Sequence, residues 1–182
     1  QYVPIDEKHP QKPINTYGST KLMIEEALRA LALSLQIRYV CLRYFNAAGA
    51  DPNPPEGQEI GESHEPESHW IPLAISASLN LDKTQKRLKV FGDDYETADG
   101  TCVRAYIHVN DLAEAHCLAL KLLSSESFVG DVDESKQLGL ALNLGTAHGA
   151  SVKEVIAAVE EVTGSAVPFD LVARRPGDPP AL

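Results

Sequence analysis

The chain has 182 residues, 43% of them hydrophobic and 23% charged, which is the composition of a globular protein of about one domain. Sixteen basic against 26 acidic side chains give a net charge of −10, which argues against nucleic acid as a main partner. No apolar run approaches the roughly 20 residues that cross a bilayer, and no leader is evident, so no membrane association is expected. Three widely spaced cysteines and no Asn-x-Ser/Thr acceptor predict a reducing, cytoplasmic location.

Segments of strand and helix character alternate along the chain, the pattern of an α/β fold. In chain order, the sequence predicts a proline-rich loop, a helix over residues 16–35, a strand over 37–45, a long loop over 46–69, a helix over 72–81 and a strand over 88–91. There follow an extended segment over 104–109, a helix capped by Asn110 and ending near 123, and a strand over 140–144. A last helix comes next, and a strand over 167–172 follows it. That last helix begins with a capping box of Ser151 and Glu154 and ends at Gly164.

Tyr17 and Lys21 lie four residues apart in the first helix. They begin a stripe at positions 17, 21, 24, 28, 31 and 35, which is predicted to face the core. An ammonium about 4 Å from a phenol stabilises the phenolate by on the order of 4 kcal/mol at an effective dielectric of about 20, enough to make the phenol an acid or base near neutral pH. The spacing alone leaves a second interpretation open, in which Lys21 reaches to solvent and Tyr17 packs.

Several short strings recur in a fixed order along the chain. They are Tyr17-Gly18-Ser19-Thr20-Lys21, residues 42–52 (LRYFNAAGADP), Ile60-Gly61-Glu62, residues 69–72 (HWIP), residues 90–95 (VFGDDY), residues 97–101 (TADGT), Arg104 with residues 106–109 (YIHV), and residues 174–178 (RRPGD). Taken together, they resemble the nucleotide-sugar 4-epimerases of the extended short-chain dehydrogenase/reductase family over essentially the whole chain.

The resemblance implies a partial Rossmann-like fold that lacks its N-terminal Gly-rich half, plus a smaller α/β substrate-binding domain. Residues 1–45 would belong to the NAD-binding domain and residues 46–182 mainly to the UDP-sugar-binding domain. Residues 104–125 and 140–150 would return to the NAD-binding sheet. The resemblance also implies a homodimer that pairs through the helix carrying the tyrosine.

The implied activity is NAD-dependent epimerisation at carbon 4 of a UDP-hexose, which interconverts UDP-glucose and UDP-galactose through a transient 4-keto sugar. Tyr17 would take the proton from the 4-hydroxyl, and Lys21 would hold the nicotinamide ribose and stabilise the phenolate. Tyr44 and Phe45 would lie beside the nicotinamide. The implied UDP-sugar contacts are Asn46, His69, Trp70, Lys89, Val90, Phe91, Arg104, Arg175 and Asp178.

The sequence departs from the family pattern in two ways. No Gly-rich dinucleotide-binding string occurs, so the chain is expected to be one half of an enzyme, inactive by itself. Ala105 stands where the family has aspartate. Leu182 stands at the position that the resemblance associates with sugar size, and a leucine there leaves the choice between hexose and N-acetylhexosamine open. A nucleotide-sugar dehydratase or decarboxylase and a non-catalytic binding module remain alternative functions.

No metal is expected from the sequence. His64 and His69 lie five residues apart with Pro66 between them, which excludes the helical His-Glu-x-x-His arrangement. The sequence suggests no third ligand beside them.

Overall fold

The computed structural model describes residues 2–58, 60–81, 87–125, 128 and 138–182. In these ranges four helices and seven short strands alternate, which confirms the α/β class. In chain order the elements are α1 (Thr16–Leu35), β1 (Tyr39–Tyr44), β2 (Asn46–Ala48), α2 (Trp70–Leu79), β3 (Leu88–Phe91), β4 (Val103–His108), α3 (Val109–Leu123), β5 (Gly139–Leu144), β6 (Gly149–Ser151), α4 (Val152–Thr163) and β7 (Phe169–Val172).

The strands form three small sheets. Strands β1 and β5 pair in parallel with Tyr39 opposite Gly139, and β3 and β7 pair in parallel with Leu88 opposite Phe169. The third sheet has β4 at its centre, parallel to β2 and antiparallel to β6. The last residues extend this sheet, because the Leu182 amide donates to the carbonyl of Val103 at 3.1 Å.

The strand predicted over residues 37–45 is in fact followed directly by a second one. β1 ends at Tyr44 and β2 begins at Asn46, so the chain leaves the β1–β5 pair and joins β4 within two residues. The three-residue strands β2 and β6 were both missed. Segments this short carry no periodicity of their own, and their partner β4 is distant in sequence.

The main core lies between α2, α4 and β3. Its most buried members include Ala74 on α2, Val90 on β3, and Val155, Ile156 and Val159 on α4. A capping box holds the start of α4, as predicted, and Gly164 ends it in the left-handed conformation at φ 66°.

The predicted burial of the α1 stripe is wrong. Ala32 is the one buried residue of α1 among those described, whereas Tyr17, Ile24, Leu31 and Leu35 on the stripe are exposed. The helix instead contacts β1 through another face, and no described element covers the stripe. Periodicity finds an apolar face but cannot tell which partner covers it.

Two helix starts also differ from the prediction. His108, not Asn110, caps α3, because its Nδ1 accepts a hydrogen bond from the Asn110 amide at 3.2 Å. Helix α2 begins at Trp70, two residues before the predicted start at Pro72. Among the described helices, none combines the length and apolar composition that crossing a bilayer requires.

Candidate active site

The predicted catalytic pair lies at the N-terminal end of α1. The helix begins after Asn15, whose side-chain oxygen accepts a hydrogen bond from the Gly18 amide at 2.8 Å, as an N-cap residue does. The Lys21 Nζ atom lies 5.0 Å from the centroid of the Tyr17 ring, within the range of a cation–π contact. Tyr17 is 72% exposed. The two side chains therefore meet on one face of the helix, and the phenol is open to a ligand.

A partly buried ion pair attaches α1 to β1. Arg43 donates through Nε and Nη2 to the two carboxylate oxygens of Glu25, at 2.8 and 2.6 Å. Gln11 Nε2 adds a hydrogen bond to Glu25 Oε2 at 3.1 Å. The hydrogen bonds from Arg43 outweigh the effect of burial and lower the pKa of Glu25 below its ordinary value. Sequence analysis missed this contact, because the two charges are 18 residues apart in different elements.

This attachment places Tyr17 and Lys21 at the carboxyl end of β1. Arg43 is the next-to-last residue of β1, and Glu25 holds α1 at that level. Tyr17 lies eight residues before Glu25, which is about 12 Å farther along the helix axis. Ligands of open parallel α/β sheets bind outside the carboxyl ends of the strands. The pair thus occupies the expected position for chemistry in this fold class.

The predicted contacts that follow β1 lie at the same edge. The Tyr44 ring centroid is 6.4 Å from that of His116 on α3, and Tyr44 is exposed. Phe45 packs against Gly145, where an added Cβ would come within 2.9 Å of the ring. Asn46 Nδ2 donates to a carbonyl of β4 at 3.0 Å. These three residues are consecutive at the carboxyl end of β1, and no described hydrogen bond or ring contact joins them to Tyr17 or Lys21.

Position 105, where the resemblance led us to expect aspartate, is buried. Ala105 is 8% exposed; its carbonyl accepts the hydrogen bond from Asn46, and its amide donates to the Leu182 carbonyl at 2.9 Å. Both contacts use backbone atoms, so alanine retains them. The missing carboxylate leaves the local pairing of β4 intact.

A second cluster of predicted residues joins the last residue of β3 to β4 and to the segment that follows β7. The Arg175 guanidinium carbon lies 3.8 Å from the centroid of the Phe91 ring. Arg104 donates through Nη2 to Asp178 Oδ1 at 3.2 Å and through Nη1 to the Pro179 carbonyl at 3.0 Å. The Asp178 amide donates to the Arg175 carbonyl at 3.3 Å, which connects the two contacts. Four of the predicted UDP-sugar contacts, distant in sequence, therefore form one cationic and aromatic surface. We call it the arginine cluster.

A cleft of about 390 Å³ adjoins the arginine cluster. It is lined by Gly92, Asp93, Asp94, Leu171, Val172, Ala173 and Arg174. Gly92 has φ +81°, and an added Cβ would come within 2.6 Å of Arg174 Cγ, so the wall requires glycine there. Arg174 is held over Tyr95, with its guanidinium carbon 4.2 Å from the ring centroid. The catalytic pair does not line this cleft.

The other predicted UDP-sugar contacts are dispersed. Val90 is 1% exposed and belongs to the core, whereas the neighbouring Lys89 is exposed. Trp70 packs against the core at the start of α2, and His69 precedes it. In the ranges that the structure describes, no hydrogen bond or ring contact connects His69 or Trp70 to the arginine cluster.

The segment before α2 gathers four side chains of metal-ligand type. Glu62, His64, Glu67 and His69 each offer one ligand atom, and these atoms all lie within 4.8 Å of one another. The sequence interpretation named only the two histidines, and the fold places two carboxylates, Glu62 and Glu67, beside them. The sequence interpretation considered only helical spacing, whereas the backbone bends at residues 65–66 and brings the two halves of the segment together.

A polar network missed by the sequence analysis connects the turn over residues 97–101 to α4. Asp99 Oδ1 accepts from the amide and hydroxyl of Thr101 at 2.8 and 2.7 Å, and Oδ2 accepts from the Ser151 hydroxyl. Lys153 Nζ donates to the Asp99 carbonyl at 2.8 Å. Burial raises the pKa of Asp99, but the hydrogen bonds from Ser151 and Thr101 prevail and lower it. The TADGT string in the sequence marks the turn, but no local pattern indicates its distant partners Ser151 and Lys153.

Comparison with known proteins gives matches along the whole chain. The family model described as the NAD dependent epimerase/dehydratase family matches residues 1–130. A curated relative from Halalkalibacterium halodurans, named UDP-glucose 4-epimerase, is 46% identical over 180 residues, which cover 99% of this chain and 49% of that protein.

Two solved structures share the fold. The UDP-glucose 4-epimerase from Brucella ovis in complex with NAD is 47% identical with a TM-score of 0.83, over 100% of this chain and 51% of that one. The UDP-glucose 4-epimerase from Bifidobacterium longum in complex with NAD+ and UDP is 37% identical with a TM-score of 0.80, over 100% and 50% of the two chains. The chain spans about half the length of the proteins it matches.

Proposed function

The chain belongs to the NAD dependent epimerase/dehydratase family, and from that premise we propose that it forms the C-terminal half of an NAD-dependent UDP-hexose 4-epimerase. The observation that carries the proposal is the contact between Lys21 and the exposed ring of Tyr17, at the carboxyl end of a parallel strand pair. The whole enzyme would interconvert UDP-glucose and UDP-galactose. The family predicted from the sequence is confirmed.

The residues at the carboxyl end of β1 suit NAD. Lys21 offers an ammonium for ribose hydroxyls, and the exposed Tyr44 ring and the neighbouring Phe45 offer apolar surface for a nicotinamide. When bound, NAD supplies an acceptor and donor of hydride at carbon 4 of the sugar. In this arrangement Tyr17 takes the proton from the 4-hydroxyl and returns it, while the Lys21 ammonium stabilises the phenolate.

The arginine cluster suits a UDP group. Arg104 and Arg175 provide guanidinium groups, which match a diphosphate in a chain whose net charge is −10. The Phe91 ring beneath Arg175 gives the cluster an aromatic surface for a planar base. Asp178 orients Arg104 through the 3.2 Å contact, and Asn46 would contact the sugar. His69, Trp70, Lys89 and Val90 complete the proposed contacts of the UDP-sugar.

A fusion protein tests the catalytic proposal. The N-terminal half of the Brucella ovis relative, placed before this chain, supplies the half of the fold that the chain does not span. We expect this fusion to convert UDP-galactose to UDP-glucose, and Tyr17→Phe to lower turnover by about 100-fold or more, because the phenylalanine ring has no proton to exchange. Tyr39→Phe is the matched control, since Tyr39 lies at the opposite end of β1.

The cofactor content separates a catalytic effect from a structural one. Tyr17→Phe should keep bound NAD near the level of the unsubstituted fusion, measured by absorbance after denaturation. Turnover of Tyr17→Phe equal to that of Tyr39→Phe refutes the role of Tyr17. UDP binding by an NAD-loaded fusion without turnover on either UDP-hexose favours a non-catalytic binding module, and release of a 4-keto product favours a dehydratase.

The proposal extends to the division of the chain and its assembly. Residues 1–45, 104–125 and 140–150 would form part of the NAD-binding domain, supported by the parallel pairing of β5 with β1, and the remainder would bind the UDP-sugar. A homodimer through α1 is supported by its exposed apolar residues, among them Ile24 and Leu31. A cytoplasmic location without nucleic-acid binding is supported by three free cysteines and the acidic charge. Sedimentation of the fusion at several concentrations tests the dimer.

A further inference from the structure

We propose that Glu62, His64, Glu67 and His69 bind one divalent transition-metal ion, for which Zn²⁺ is the best fit. Their ligand atoms lie within 4.8 Å of one another. Two imidazoles and two carboxylates make a mixed nitrogen and oxygen donor set, which Zn²⁺ and its first-row neighbours accept, whereas Mg²⁺ and Ca²⁺ favour oxygen alone. The proposal shares His69 with the proposed UDP-sugar contacts, but its test uses variants of His64 and Glu67 and measures metal binding by the chain alone, so it is tested separately from the proposed function.

The side chains already face one another across the bend. His64 Nδ1 contacts Glu62 Oε1, and His69 Nδ1 lies 2.8 Å from Glu67 Oε1 and 3.8 Å from Glu62 Oε2. The two imidazole centroids are 4.6 Å apart in an edge-to-face arrangement. Tetrahedral Zn²⁺ with bonds of about 2.0–2.1 Å requires ligand atoms about 3.3 Å apart. Rotation of exposed side chains can supply this contraction without a change in the backbone.

Backbone contacts hold two of the ligands in place. Glu67 Oε1 accepts hydrogen bonds from the amides of Ser68 and His69 at 2.7 and 2.6 Å, and Glu62 Oε1 accepts from the Ser63 amide at 3.0 Å. His69 occupies the N-cap position of α2, yet its side chain makes no capping hydrogen bond. The imidazole is therefore not committed to the helix end.

Charge and access agree with a cation. With neutral imidazoles the four side chains carry two negative charges, which a divalent ion neutralises. The side chains are between 22% and 58% exposed, so an ion can enter from solvent. If no ion binds, the same contacts remain as two histidine–glutamate pairs, and the experiment below distinguishes the two cases.

Titration of the full 182-residue chain without a histidine tag tests the site. We expect Zn²⁺ to bind with 1:1 stoichiometry by calorimetry, and Co²⁺ to develop the visible absorption of a tetrahedral site. His64→Ala should weaken Zn²⁺ binding by about 100-fold or more, because loss of even an outer-sphere partner costs about 10–100-fold. His148→Ala is the matched control, an exposed histidine outside the cluster.

Glu67→Gln provides a second variant that keeps the side-chain shape, and it should weaken Zn²⁺ binding to a similar extent. Circular dichroism of each variant confirms that the fold is retained. The proposal is overturned by a chain that binds neither ion, or by His64→Ala and Glu67→Gln variants that bind Zn²⁺ as tightly as His148→Ala.

Discussion

Replacing Glu25 by glutamine should destabilise the chain by about 2 kcal/mol. The substitution keeps the size of the side chain but removes its charge and one of its two acceptor oxygens for Arg43. The Glu25 and Arg43 side chains are 13% and 22% exposed, so the guanidinium is left largely desolvated without its bidentate carboxylate partner. A charge-assisted hydrogen bond contributes about 1.5–3 kcal/mol net, and breaking a fully buried pair costs about 3–5 kcal/mol. Because this pair is only partly buried, its loss should lower the free energy of unfolding by an amount in the first of these ranges.

Urea and thermal unfolding followed by circular dichroism measure this effect. In a chain of this size, 2 kcal/mol corresponds to a fall in Tm of about 4–8 °C. Glu26→Gln is the control, because Glu26 pairs with Arg29 on the same helix with side chains 58% and 52% exposed. An exposed pair contributes about 0.2–1 kcal/mol at most. Equal losses for Glu25→Gln and Glu26→Gln would refute the reasoning that burial makes the first pair matter.

The pH dependence gives an independent check on the same pair. The pKa of Glu25 is lowered in the folded chain from an ordinary value near 4.5. Its contribution is therefore fully present above that value and is lost as the pH falls through the folded pKa. The stability difference between the original chain and Glu25→Gln should shrink as the pH is lowered from 6 toward 3. A difference that stays constant over this range contradicts the assignment.

Two further substitutions test the ligand surface and a turn. In the full-length fusion, Arg175→Ala should weaken UDP binding by about tenfold or more, because the substitution removes a cation held over Phe91. The control Arg29→Ala, on the exposed face of α1, should leave UDP binding unchanged. Calorimetry of the two variants compares their affinities for UDP. Gly100→Ala should destabilise the chain by clearly more than Gly164→Ala, which should cost about 1–2 kcal/mol in urea unfolding. Both glycines have positive φ, but an added Cβ at Gly100 meets a backbone carbonyl at 2.0 Å, whereas nothing lies within 4 Å at Gly164.

The sequence predicted those features that are fixed locally. The bounds of α1 agree with the prediction, because apolar spacing and turn chemistry act over a few residues, and the capping box of Ser151 and Glu154 is confirmed for the same reason. The meeting of Tyr17 and Lys21 follows from one-turn spacing.

What the sequence could not provide depends on contacts between distant residues. The pairing of Glu25 with Arg43, the exposure of the α1 stripe and the short strand β2 all depend on which elements meet in space. The resemblance named Phe91 and Arg175 separately, but no local pattern indicates that the guanidinium lies on the ring. The cluster of histidines and glutamates before α2 was not predicted for a different reason: only helical spacing was considered, whereas the segment bends at residues 65–66.

The contacts of β4 couple two properties that enzymes often adjust one at a time, ligand affinity and turnover. Its successive residues Arg104 and Ala105 contact both the segment that ends at Leu182 and the side chain of Asn46. A mutation that shifts this strand therefore also moves the side-chain amide of Asn46, which the proposed function assigns to the sugar. Under the proposed function, ligand affinity and turnover should change together in variants of this strand, so adaptation to another sugar would have to begin elsewhere in the fold.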